Sequence, residues 1–121
     1  MDNFLIERTK SVKFALRGAY LLLKTEHAII SQFFIGLIFI AMGFYFKITR
    51  LEWVLQLGLI AMVLTAEGLN TAIEQLCDHV NPTYDTHIGF IKDVSSGAVA
   101  FAAIFALISS IIIYYPYVFA S

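Results

Sequence analysis

The chain has 121 residues, of which 60% are hydrophobic and only 14% are charged, with a mean hydropathy of +0.80. That charge content is far below the roughly 25% of an ordinary soluble domain, which excludes a soluble globular protein and points to a small integral membrane protein. The net charge of −1 by itself says nothing of a nucleic-acid partner, since the basic residues are unevenly placed; for a membrane protein of this kind none is expected.

The first residues, MDNFLIERTKSVK, lack the apolar core and small-residue cleavage site of a secretory signal, so the chain is expected to start as mature protein. Lys10, Lys13, Arg17 and Lys24 fall within roughly 60° of one another at helical spacing, opposite Val12, Ala15, Leu16, Ala19, Leu22 and Leu23. This pattern predicts an amphipathic surface helix over about 6–25, its basic face toward anionic head groups and its apolar face toward acyl chains. Three apolar segments follow, at about 28–46, 53–73 and 94–115, each near the roughly 20 residues that cross a bilayer's hydrocarbon as helix. The expectation is an all-α membrane protein of one domain, 1–121, with three transmembrane helices. Lys47 to Glu52 forms a short polar break. Gln75 to Asp93 reads as a longer break, with Asn81-Pro82 as its turn signal. Cys77, the single cysteine, has no partner for an intrachain disulfide and reads as a small apolar filler. Gly36, Gly43, Gly58, Gly68 and Gly97, with Ala98, Ala102 and Ala106, supply the small residues that close helix packing in membranes needs.

Orientation follows from the basic residues near the spans. Arg8, Lys10, Lys13, Arg17 and Lys24 precede the first span and Lys92 lies in the second break, against Lys47 and Arg50 in the first. The N-terminus and the second break are therefore expected on the cytoplasmic side. Tyr45, Trp53, Tyr114, Tyr115 and Tyr117 then gather at the opposite interface, where amphipathic rings are favoured.

One stretch of the second span breaks its apolar character. In AEGLNTAIEQLCDH, Ala66 to His79, Glu67, Asn70, Glu74 and Asp78 recur at i, i+3, i+7 and i+11, within roughly 80° of one another on a helix. Asp78 and Glu74 reach the cytoplasmic boundary, while Glu67 lies about 10 Å deeper at 1.5 Å per residue. An ionisable group held at that depth costs on the order of 2.5 kcal/mol and is a functional candidate by default. Glu26 begins the first span and Lys92-Asp93 the third at the same level, so three packed helices would bring Glu26, Glu74, Asp78 and Asp93 around one cytoplasmic site with Lys92 beside it. Four carboxylates call for a cation, and hard oxygen ligands that leave room for water and phosphate suit Mg²⁺ bound with a nucleotide. Glu67 beneath them could serve as general base toward a lipid hydroxyl, the arrangement of a lipid kinase. No Walker A or GxGxxG loop supports a nucleotide independently. A proton or cation pathway, or an interaction subunit whose Glu67 and Asn70 hold helices together, also fits the residues. Asp93 could also simply cap the third helix.

The run ExLNTAIExxxD from Glu67 to Asp78, Lys92-Asp93, the small-residue SSGAV at Ser95 to Val99, and KTE at Lys24 to Glu26 together resemble the bacterial diacylglycerol kinase and undecaprenol kinase family. The resemblance implies a homotrimer in the inner membrane, with three spans and a surface helix per subunit. It implies that MgATP phosphorylates a lipid alcohol, diacylglycerol or undecaprenol, at sites built between neighbouring subunits. It implies Glu67 as general base, Glu26 and Glu74 as Mg²⁺ and ATP-phosphate ligands, and Lys92 and Asp93 as nucleotide contacts. Asn70 would orient groups near the transferred phosphoryl, Tyr84 would line the nucleotide end, and Ser96 would approach the lipid acceptor. The chain departs from the pattern at Asp85, which stands where the family often has a histidine after the tyrosine, and at Glu7, aligned with an arginine of some members.

Overall fold

A computed structural model describes residues 2–83 and 85–119. They form four helices: α1 Asp2–Thr25, α2 His27–Phe46, α3 Arg50–Val80 and α4 Thr86–Phe119. The last three are each long and apolar enough to cross a membrane. Few side chains are buried within the chain, and large apolar ones such as Phe34, Phe44, Leu55, Phe101 and Ile112 face outward, a surface stable only against hydrocarbon or other protein.

Helix α1 ends where Glu26 turns extended, with φ −104° and ψ 114°. Along 3–25, Gly18 and Leu22 alone are less than exposed. Helix α2 ends at Lys47, whose left-handed backbone (φ 55°, ψ 53°) lets its N–H donate to the Gly43 carbonyl. Thr49 then opens α3 with a capping box: its hydroxyl accepts from the Glu52 N–H at 3.2 Å, and the Glu52 carboxylate accepts from the Thr49 N–H at 2.9 Å. Each satisfies a donor that the first helical turn leaves free. Gly43 is required here by close approach, since a Cβ at that position would stand 2.8 Å from the Trp53 ring.

The second connection is much shorter than the polarity of the sequence suggested. The stretch Gln75 to Asp93 is not a break: α3 continues to Val80 and α4 begins at Thr86. Polar side chains end a hydropathic run without ending a helix, and nothing from Gln75 to Val80 interrupts backbone hydrogen bonding. Pro82 pushes the residue before it out of helical backbone, and Asn81 is extended, with φ −144° and ψ 94°. Asn81 organises the connection, its Oδ1 accepting from the Thr83 N–H at 3.2 Å and hydroxyl at 2.8 Å while its Nδ2 donates to Asp85 at 2.7 Å. Asp85 accepts from the Ile88 N–H at 2.9 Å, the geometry of an N-cap. The cap of the third apolar helix is therefore Asp85, and Asp93 lies well inside α4. At 1.5 Å per residue α3 and α4 are about 46 and 51 Å long, longer than the roughly 30 Å of hydrocarbon, so their polar ends project beyond it as unbroken helix.

Helix α3 packs most extensively on α4 and less on α2, and α1 touches the rest only lightly. The tightest packing sits at the end away from the connection 81–85, where Ile48, Ile113 and Tyr114 are buried beneath Phe39, Phe46 and Trp53. The expected aromatic belt is partly drawn inward. Tyr45 and Tyr115 are exposed, but Tyr114 is buried; its hydroxyl lies 3.1 Å from the Phe39 carbonyl and also meets Gln56 Oε1. Tyr117 donates to Glu52. Each hydroxyl finds an acceptor in the chain because a phenol facing hydrocarbon would have none.

Candidate active site

The residues singled out from the sequence lie on the second half of α3, the start of α4 and the α1–α2 junction. On α3, Glu67, Asn70 and Glu74 are half-buried and Asp78 is exposed. Asn70 Nδ2 donates to Glu74 Oε1 at 3.3 Å, the reach of an i, i+4 pair on one face. This fixes the Glu74 carboxylate and leaves lone pairs free on its other oxygen. Asn70 Oδ1 is buried with no partner among the described residues, an acceptor that a bound group or water would satisfy.

Across the seam, Lys92 Nζ donates to Asp78 Oδ1 at 2.6 Å and joins α4 to α3. Asp93 and Ser96 are exposed on α4, and Ser95 between the helices is buried. Glu26 is half-buried and does not cap α2 with its side chain, so its carboxylate is not committed to the helix end. The end of α1 reaches α3 beside Glu67: a Cβ on Gly68 would stand 3.2 Å from Leu22, and the Glu26 N–H bonds to the Leu22 carbonyl at 3.1 Å. Glu26 is thus one helical turn from the contact that brings α1 to the stripe. Tyr84, expected at the nucleotide end, lies outside the described residues.

The anticipated ring of Glu26, Glu74, Asp78 and Asp93 does not form. Among the described residues no three His, Cys, Asp or Glu side chains gather as a metal site. Asp78 is paired with Lys92 instead, and Glu26, at the start of α2, does not join the others. The described residues therefore offer no carboxylate cluster of the kind a Ca²⁺ cage is built on. Mg²⁺ held by one or two carboxylates, with water and phosphate completing its shell, needs no such cage. The uncommitted Glu26 and the half-occupied Glu74 suit that mode.

The matched region takes in these elements. The sequence model described as prokaryotic diacylglycerol kinase covers residues 13–114. The chain belongs to the prokaryotic diacylglycerol kinase family. It is 29% identical over 92 residues to a diacylglycerol kinase of Haemophilus influenzae, across 76% of this chain and 78% of that protein. It is 31% identical over 74 residues to an undecaprenol kinase of Bacillus subtilis, across 61% of this chain and 60% of that one. Family membership makes this chain a lipid kinase, and the two relatives differ in the lipid alcohol they are named for.

Sequence reasoning passed over one polar group. Gln56 is only 3% exposed, and its Nε2 has no partner among the described residues. It lines a cavity of about 80 Å³ with Gln32 and Ser110. A signal was available: eleven residues separate Gln56 from Glu67, about three turns, so both fall on the same face of α3.

Proposed function

We propose that the protein transfers the γ-phosphate of MgATP to the primary hydroxyl of a membrane lipid, diacylglycerol or undecaprenol, at the cytoplasmic face of the bacterial inner membrane. The observation that carries this reading is the polar face of α3, with half-buried Glu67 within a helix long and apolar enough to cross a membrane, Asn70 and Glu74 hydrogen-bonded one to two turns further on, and Lys92 alongside. Glu67 accepts the proton of the lipid hydroxyl. The freed oxygen attacks the γ-phosphorus, the bond to the bridging oxygen breaks, and ADP departs. Glu67 and Glu74 stand two turns apart, about 10 Å along the helix, which leaves room between them for the acceptor hydroxyl and the phosphoryl group.

Asn70, its amide nitrogen engaged with Glu74, presents its free oxygen beside the reacting groups and keeps them in register. Glu26 and Glu74 hold the metal. Mg²⁺, when bound, neutralises charge on the phosphates. Lys92 and Asp93 contact the nucleotide from α4, with Tyr84 at its outer end. Ser96, one turn deeper than Lys92, meets the lipid acceptor. Helix α1 lies on the cytoplasmic surface, with Lys10, Lys13, Arg17 and Lys24 toward anionic head groups, and the working unit is a homotrimer whose neighbours complete each site. The scatter of carboxylates within one chain supports completion by a neighbour.

The test is phosphate transfer from labelled ATP in vesicles that contain the purified protein and either diacylglycerol or undecaprenol. Label in at least one lipid, dependent on Mg²⁺, is the expected result, and the ratio of kcat/KM assigns the acceptor. No label in either lipid refutes the proposal. Ion flux without ATP consumption would indicate a transport pathway instead.

A further inference from the structure

We infer that Asp78 is a positioning residue, which holds the Lys92 ammonium at the α3–α4 seam for the nucleotide phosphates. The inference rests on the reading of Lys92 as a nucleotide contact. The two residues are brought opposite each other by the connection 81–85, closed by the Asn81–Asp85 hydrogen bond, and they meet at 2.6 Å. Lysine is a point charge on a flexible four-carbon stem and locates a phosphate poorly unless something locates it first. Its ammonium carries three N–H donors. Asp78 takes one, and two remain for phosphate oxygens, so the pair need not break when ATP arrives.

The side chains are 35% and 62% exposed, respectively, for Lys92 and Asp78. An ion pair so open to water adds little to stability, and a purely architectural role explains it poorly. A second consequence concerns Glu74, one turn before Asp78 on the same face. A lysine released from Asp78 would find Glu74 as the next carboxylate. By holding Lys92, Asp78 keeps Glu74 available for the metal.

The experiment is a double-mutant cycle on the full-length protein in vesicles at saturating lipid, with kcat and KM measured for ATP and for the lipid. Asp78→Ala is expected to raise the ATP KM about threefold to fivefold, the scale of an exposed ion pair, with the lipid KM unchanged. Asp78→Glu should recover most of the loss. Lys92→Met should raise the ATP KM further, and adding Asp78→Ala to it should change nothing more. Additive effects, an ATP KM that falls in Asp78→Ala, or an equal change in both KM values overturns the inference. If Lys92→Met leaves ATP use unchanged, the nucleotide role of Lys92 fails and the inference with it. If Lys92→Met acts and Asp78→Ala is silent, the inference alone fails. Should Asp78→Ala lose helical content by circular dichroism, Asp78→Asn takes its place in the cycle under the same criteria.

Discussion

Replacing Glu67 with glutamine separates a catalytic carboxylate from a structural one, because the two roles predict opposite signs for activity and stability. Glutamine keeps the size of the side chain and the α3 backbone, and removes only the charge and the proton acceptor. Loss of a general base lowers turnover about 10²- to 10⁴-fold, which corresponds to about 2.7 to 5.4 kcal/mol of activation free energy at 1.36 kcal/mol per tenfold. Glu67 is half-buried in a helix long and apolar enough to cross a membrane. Removing an ionised group from such a position relieves a cost of up to about 2.5 kcal/mol, so resistance to unfolding should rise or stay level. The assay pairs phosphate transfer from labelled ATP in vesicles with thermal or detergent unfolding of the same preparation. A kcat within tenfold of the parent refutes the role of base. A fall in activity matched by an equal loss of stability would show that Glu67 serves packing.

Glu26→Ala and Glu74→Ala should each shift the Mg²⁺ dependence of ATP use to higher concentration, and metal titrations that superimpose on the parent would remove both from the ligand set. Asp85 lies just before α4, and the backbone N–H of Ile88, helped by His87 and Asn81, holds its carboxyl below the ordinary aspartate value of 3.8. A depressed folded value stabilises the helix start above the unfolded pKa and loses that stabilisation as pH falls through the folded one. Amide exchange at Ile88 should therefore accelerate relative to the chain's other amides below about pH 3.9, and Asp85→Ala should show the faster exchange at neutral pH and abolish this pH dependence. Tyr114→Phe strips the buried Gln56 amide of its hydroxyl partner and should lower stability by about 0.6 to 1.7 kcal/mol, the range for hydrogen bonds within membranes. Detergent unfolding measures it, and an unchanged ATP KM is expected because Tyr114 sits at the far end of the bundle.

The fold was legible wherever hydropathy and helix formation coincide, and obscure where they part. For α2 they coincide, and its observed span, His27–Phe46, follows the apolar run closely. At Gln75 to Asp93 they part: the residues are polar, but only Pro82 and its neighbours prevent helix, so most of the segment continues α3 and α4 beyond the hydrocarbon. The cap could have been found from the same rule, since Asp85 precedes Thr86 by one position and carries the short acceptor an N-cap needs. The polar stripe was legible because period 3.6 depends on spacing alone. The Asp78–Lys92 pair was not, because residues 14 apart meet only when the length of the connection is known. Tyr114 and Tyr117 were assigned to the membrane interface by residue type, and Gln56 and Glu52, polar groups within helix, drew their hydroxyls inward.

The resulting architecture divides labour along the membrane axis. Aromatic packing, the capping box at Thr49 and the Tyr117–Glu52 contact concentrate at one end, away from the polar stripe. At the opposite end α1 meets α3 through Leu22 and Gly68, beside the polar stripe. A methyl group at Gly68 would press on Leu22 at 3.2 Å. That contact lies far from the aromatic core around Tyr114, so a larger side chain at Gly68 is expected to displace α1 while leaving that core intact.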